Sequence, residues 1–327
     1  MKRIACWLIG STLAVATAAT NAEEIAVGNY GVSANGMPFG VALVKGYFKE
    51  EGLNITGLIS SAGGGTSLRN MLAGGGVPYG EVNPGVVVSA ILAGADLRIV
   101  SDNVLTVAEF VWAVKPDSPI KSIKDFKGKK IGYTNPRSTS QALARMLLQA
   151  GGYSEADAEL VKTGGFGEGI AALDSGQIDV AAITEPLWSK VKNKYRAVVV
   201  ASETLPPLDN VVGVTTVEMA EKKGDFIRAV IRARRKAVIF MREHPDEAAA
   251  IVAKEYNIDL EVAKSAVRNL TTSKTKGVPY WGEGAIHLEG LKRMIEAQRS
   301  VGAISGEVDY GKIIDTRFLP DDLKALR

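Results

Sequence analysis

One local pattern occurs twice in this chain, 101 residues apart, and it narrows the fold more than any count of residue types. The run LAGGGVPYGEVN from Leu72 to Asn83 and the run LDSGQIDVAAIT from Leu173 to Thr184 share an outline. Each closes a helix on leucine, turns through glycine and enters a short apolar strand that ends on a polar side chain. Such a unit cannot bury its apolar face alone, so two of them imply two lobes of similar local architecture.

The surroundings fit that reading. Short β-rich runs predict strands at 25–28, 54–60, 77–82, 97–101 and 110–114, separated by helical patterns at 38–48, 66–73 and 86–93. A second set places strands at 130–133, 180–183 and 197–201, with helices at 138–149, 164–173 and 186–192. Ser138 precedes Gln141 by three residues, a capping-box signature for the first of these helices. After Gly213 helix dominates, at 217–242, 245–256, 260–269 and 283–300, with Pro245 in a first turn where proline is tolerated. Strand and helix in alternation give α/β layers around a largely parallel sheet.

The first 22 residues read as an export signal and not as part of the fold. Lys2 and Arg3 form a basic start, 4–15 is apolar but too short for a membrane span, and 16–22 is rich in small residues, so the mature chain is expected to begin at Glu23. Without that segment 37 basic residues face 36 acidic ones, a balance that gives no footing for nucleic acid. Cys6 is the only cysteine and leaves with the signal, so neither a disulfide nor a thiol nucleophile is expected. Export with no disulfide and no cysteine for a lipid anchor suggests the periplasm. About 305 residues remain, enough for two domains, and no later stretch has the roughly 18 apolar residues of a membrane helix.

In open α/β sheets ligands sit beyond the carboxyl ends of strands, where helix N-termini present free N–H groups. Small polar residues recur at such junctions here: Ser33 to Gly36, Ser61 to Thr66, Asn83 to Gly85, Ser138 to Ser140, and Thr184 to Pro186. Ser138 has the capping role. Thr139 and Ser140 fall in the first turn, where their hydroxyls can reach a ligand without being required by the helix. Trp188, in the first turn after Glu185 and Pro186, offers an apolar face if it looks into the crevice. Arg69 and Arg137 favour an anion, as do the helix starts, whereas Glu185 favours an amino or other donor group. A zwitterion or a heterocycle satisfies both.

Other chemistries lack their motifs. The glycines at 63–65 are not followed by the lysine of a phosphate-binding loop, and 164–169 misses the dinucleotide spacing, so no cofactor is expected. His244 and His287 are the only histidines, neither in a metal-ligand spacing; His244 reads as an exposed breaker and His287 as a half-buried residue of a helical run. No Gly-x-Ser-x-Gly elbow announces a hydrolase, and no residue is assigned as catalytic or metal-binding.

The stretch SPIKSIKDFKGKKIG from Ser118 to Gly132, the helix ending KGYFKEEGL from Lys45 to Leu53, and the run from Leu173 to Val180 together resemble the substrate-binding proteins of ABC transporters for nitrate, sulfonates and taurine. That group includes pyrimidine-precursor binders and a related pyrimidine-precursor synthase. The resemblance implies a type II periplasmic binding protein fold, two α/β lobes joined by two crossover segments with a cleft between them. Lobe one would comprise 23–105 and 213–327 and lobe two 106–212, with crossovers near 106–109 and 208–212. It implies a monomer that captures a small organic ligand (a sulfonate, a taurine-like zwitterion, an aromatic carboxylate or a heterocycle) and delivers it to the transmembrane permease subunits of an importer; the alternative is an enzyme on the same fold. The matching ligand positions are Asn35, Gly64, Gly65, Thr66, Asn83, Ser138, Thr139, Ser140, Thr184 and Glu185. Pro78 stands where the second repeat has Asp179, which weakens the carry-over at Asn83.

Overall fold

The computed structural model describes residues 23–61, 64–73 and 77–326. The export-signal reading, Cys6, Gly63 and the glycines of the first repeat at 74–76 lie outside the described residues.

The described residues build two main sheets and two smaller two-stranded ones. The first runs in the order β13-β4-β10-β3-β1-β2. It comprises β1 (Glu23–Gly28), β2 (Ile55–Ser61), β3 (Gly80–Val82), β4 (Leu97–Val104), β10 (Val211–Thr216) and β13 (Trp281–Gly284). β2, β1 and β3 are parallel, and Ile25, Ala26 and Val27 of β1 are fully buried. Helices cover both faces of such a strand, which is why its sequence is a continuous apolar run. The second sheet has β5 (Phe110–Val114) between β8 (Ala181–Thr184) and β9 (Arg196–Val200). β6 (Lys130–Tyr133) pairs with β7 (Glu159–Lys162) and reaches the start of β8 through a bridge from Ile131 to Val180. Gly128, with φ of 71°, makes the turn into β6 in the left-handed region that glycine enters freely.

The chain crosses between the sheets twice, after β4 and before β10. Each crossing delivers an antiparallel strand: β5 runs against both neighbours, and β10 runs against β3 and β4. The first sheet is therefore mixed and β8-β5-β9 is antiparallel, with β6 and β7 a parallel pair beside it, and the largely parallel sheet expected from strand–helix alternation is corrected on this point. Helix Leu288–Ser300 packs on both lobes, sending Leu291 and Ile295 into the first core and Met294 and Ala297 into the second.

Several element boundaries differ from expectation for identifiable reasons. The helix expected at 217–242 is two, Val217–Lys222 and Gly224–Glu243, because Lys223 leaves helical geometry with φ −128° and ψ 28°. The helix at 283–300 begins only at Leu288, because Trp281–Gly284 pairs with the edge of β4 and Gly284 takes φ of 118°. Gly46, with φ of 76°, divides the helix expected at 38–48 into Met37–Val44 and a single turn, Tyr47–Glu50. A hairpin of β11 (Lys274–Thr275) and β12 (Val278–Pro279), and strand β7, carry too few apolar residues to show in the pattern. Among the described residues no helix is long and apolar enough to cross a membrane.

Candidate functional site

A cleft of about 430 Å³ opens between the two sheets, lined from both sides and from both crossovers. From the first sheet come Asn35, Gly65, Thr66, Glu81 and Asn83; from the second Ser138, Thr139, Ser140 and Thr184; from the crossovers Glu109 and Asn210. The structure thus brings together eight of the eleven residues singled out from the sequence, and Gly64 opens the same helix, Gly64–Leu72, that carries Gly65 and Thr66.

The polar junctions are more committed to the protein than their types suggest. Asn35, in a single 3-10 turn, gives one amide hydrogen to Gly28 O at 3.0 Å and the other to Glu81 Oε1 at 2.9 Å. Thr66 Oγ1 accepts from Arg69 Nη2 at 2.9 Å. Asn83 caps helix Pro84–Leu92 by accepting from Gly85 N, and its amide donates to Thr139 Oγ1 at 2.9 Å and Asn210 O at 3.1 Å. That set joins the two lobes beside the crossovers. Ser138 caps helix Thr139–Ala150 by accepting from Gln141 N at 3.2 Å. The reciprocal half of the expected box is absent: Gln141 Oε1 takes the N–H of Arg137 instead, since Ser138 N already donates to Asn135 O.

Ser140 departs from expectation. Its hydroxyl was expected to be free of the helix, yet it accepts from Thr134 N at 3.0 Å and pairs with Thr134 Oγ1 at 2.9 Å and Ser138 Oγ at 3.0 Å. It holds the turn leaving β6 to the start of the helix. Thr139 alone of the pair is engaged only across the cleft.

Glu185 and Trp188 do not line the cleft. Glu185 is buried, its Oε2 accepting from Ser189 N at 3.1 Å and its Oε1 from Ser189 Oγ at 3.0 Å and Asn269 Nδ2 at 2.8 Å. Asn269 belongs to helix Leu260–Thr272, which packs with the first sheet, and Ser265 of that helix bonds Ser189 Oγ at 2.9 Å. The carboxylate is therefore half of a tie between the lobes, outside the ligand space. Trp188, partly buried, packs against the Val111, Ala172 and Ile183 cluster on the other face of the second sheet. A helix of five residues, Leu187–Val191, turns it away from the cleft.

The acidic character of the cleft comes from residues that sequence reasoning passed over. Glu81, fully buried on β3, faces the guanidinium of Arg234, 2% exposed, at 3.5 Å, and accepts from Asn35 and Asn103. Burial pushes its pKa up; Arg234 and the two amides act against that shift. Arg234 also donates to Gly282 O and Asn103 O, each at 2.7 Å, so its charge is spent inside the lobe. Glu109, at the end of the first crossover, accepts from Asn210 Nδ2, while its Oε2 is buried without a partner. Burial pushes its pKa up to about 8, with Glu185 adding and Asn210 and Tyr280 opposing. The available signals were Glu109 inside the run VAEFV and Arg234 on the apolar stripe of its helix, between Ile231 and Val238. No group of three histidine, cysteine or acidic residues is placed to hold a metal among the described residues.

His287, half-buried as expected, precedes helix Leu288–Ser300 without a side-chain capping bond, and its Nδ1 lies 3.1 Å from Asp209 Oδ1. His244 is exposed between two helices, as read from the sequence.

Two α/β lobes, two crossovers and a polar cleft between them define a periplasmic binding protein fold. The periplasmic aliphatic sulphonate binding protein SsuA from Escherichia coli shares it, with a TM-score of 0.75 at 19% identity over 90% of this chain and 92% of that one. The chain belongs to the NMT1/THI5 like family, whose model matches residues 33–248. A relative by sequence is the riboflavin-binding protein RibY of Chloroflexus aurantiacus, 22% identical over 86% of this chain and 82% of its own. The desulfurization enzyme DSZB has the same fold at a TM-score of 0.62 and 14% identity, covering 91% of this chain and 97% of that one.

Proposed function

We propose that this protein is the periplasmic solute-binding component of an ABC importer, capturing a small organic ligand between its lobes and delivering it to the membrane permease. The observation that carries this reading is the cleft itself: its walls belong to different sheets, and only two chain crossings connect those sheets. A ligand touching both walls favours the closed arrangement over an open one and shifts that equilibrium by its differential contacts. The binding names of two relatives agree in class but differ in ligand, so neither ligand transfers to this chain. Asn35, Gly64, Gly65, Thr66, Asn83, Ser138, Thr139, Ser140 and Thr184 remain the proposed binding positions, joined by Glu109 and Asn210. The protein acts as a monomer after export, with the mature chain starting at Glu23, and carries out no chemistry on the ligand.

The test is to incubate the mature protein with a defined mixture of small metabolites, remove unbound material, and identify what remains by mass spectrometry. A compound recovered unchanged, with ligand-induced compaction in small-angle scattering, is the expected result. Steady conversion of the bound compound to a product overturns the binding-only reading.

A further inference from the structure

We propose that the cleft takes a ligand bearing a protonated nitrogen, and that Glu109 is the residue that selects it. The inference deepens the capture reading and rests on it. Most donors near this carboxylate are already spent; the exception is the buried Tyr280 hydroxyl, which makes no other hydrogen bond and acts on Glu109. Both amide hydrogens of Asn35 go to Gly28 and Glu81, the Asn210 amide goes to Glu109 Oε1, and Arg234 is sealed among Glu81, Gly282 and Asn103. On the cleft wall Glu109 Oε2 is left buried with no hydrogen bond of ordinary geometry. Burial without a full set of partners holds this carboxyl neutral in the empty protein, and an N–H donor from a cation lets it ionise.

The adjoining wall suits the same cation. Phe110, next in sequence to Glu109, and Phe166 both line the cleft, with ring centroids 5.9 Å apart in an edge-to-face arrangement. Aromatic faces attract ammonium groups, and more strongly in a desolvated site. Arg69 and Arg137 lie exposed at the rim, leaving the region around Glu109 without a free cation of the protein.

Proton linkage supplies an independent readout. The groups that act on Glu109 are its own backbone N–H, Asn210, the Tyr280 hydroxyl and Glu185; with none of them a cation, burial pushes its pKa up to about 8. An ammonium placed on it at pH 7 must displace that proton. Affinity then rises from pH 6 to pH 8, provided the ligand nitrogen stays protonated, and calorimetry in buffers of different ionisation enthalpy reports a proton released on binding.

The experiment offers the mature protein a metabolite library containing matched pairs, such as taurine with ethanesulfonate, β-alanine with propanoate, and 4-aminomethylbenzoate with 4-methylbenzoate. Bound compounds are identified by mass spectrometry, and dissociation constants are measured for wild type and Glu109→Gln. Glutamine keeps the acceptor for Asn210 and removes the charge, and the variant's ligand-free thermal unfolding confirms that it is folded. The amine member of a bound pair is expected to bind more tightly by roughly 10- to 100-fold, the worth of a hydrogen bond to a charged group. That preference and the proton release should both vanish in Glu109→Gln. Capture of an anion or of a neutral compound without an N–H donor overturns this inference and leaves the capture reading standing, as does a preference that survives the substitution. Retention of nothing by the folded wild type overturns both.

Discussion

Replacing Ser140 with alanine tests whether the start of helix Thr139–Ala150 is a ligand contact or a structural joint. Its hydroxyl, 2% exposed, accepts from Thr134 N at 3.0 Å and pairs with Thr134 Oγ1 and Ser138 Oγ. Alanine leaves the backbone N–H of Thr134 without its acceptor at the point where the chain leaves β6. An unsatisfied group of that kind costs about 1–3 kcal/mol, so Ser140→Ala should destabilise the second lobe by that amount with no ligand present. Thr139→Ala removes only the contacts to Asn83 and Asn210, which still hydrogen-bond each other, and should cost roughly 0.5 kcal/mol or less. Two lobes need not unfold in one step, so a reporter confined to the second lobe is required. Trp112, fully buried at the centre of that sheet, provides one by fluorescence in a denaturant titration once Trp281 of the first sheet is replaced by phenylalanine in both proteins compared. Hydrogen exchange at the Thr134 amide provides another, which should be lost in Ser140→Ala and retained in Thr139→Ala. Equal stabilities for Ser140→Ala and wild type, with Thr134 still protected, would refute the assignment of Ser140 as a joint.

Three further outcomes follow from the same geometry. Arg234→Met leaves Glu81 buried without its cation and should cost about 3–5 kcal/mol in denaturant unfolding; a loss below about 1 kcal/mol would show that water or a neighbour compensates. Asn269→Ala removes the donor that joins helix Leu260–Thr272 to Glu185, and the ligand-free protein should expand in small-angle scattering, whereas an unchanged radius of gyration would mean the remaining ties, Ser189–Ser265 and Asn83–Thr139, suffice to hold the lobes. Burial raises Asp209 to about 8, so its neutral form is favoured in the folded state. The stability this gives is fully present below about pH 4 and is lost as pH rises towards 8, by up to about 1.4 kcal/mol per unit. Asp209→Asn should therefore flatten the decline in stability between pH 5 and pH 8, and an unaltered decline would assign it to other groups.

Local signals determined most of the fold because they are repeated and short-ranged. Ile25 to Val27 and Phe110 to Val114 read as buried strands since each is an unbroken apolar run, and both are buried on both faces. The failures occur where pairing partners supply what the local sequence lacks. Trp281–Gly284 contains two glycines and is a strand only because the edge of β4 is there to receive it. The direction of β5 and β10 was equally hidden, since strand orientation follows from which sheet the chain has just left, and no residue pattern encodes that.

The site shows the same division at the level of single side chains. Sequence reasoning placed Glu185 in the cleft, because it follows the strand end Thr184 at a strand-to-helix junction. Successive residues at a strand end point in opposite directions, however, and Thr184, on the cleft wall, sends Glu185 to the far side, where Ser189 and Asn269 meet it. Of this pair the acid that reaches the cleft, where Glu81 also lies, is Glu109, opposite in the sheet: Glu185 N donates to Glu109 O at 3.0 Å, one step beyond the Phe110–Thr184 pair. Two carboxylates adjacent through the backbone thus take different tasks, one saturated by neutral donors in a tie between lobes, the other left with an oxygen for a ligand to satisfy. Which of them faces the cleft depends on antiparallel pairing between segments about 75 residues apart in sequence. A motif anchored to either segment alone cannot carry that information, and for this reason the identity of the acid became visible only with the sheet assembled.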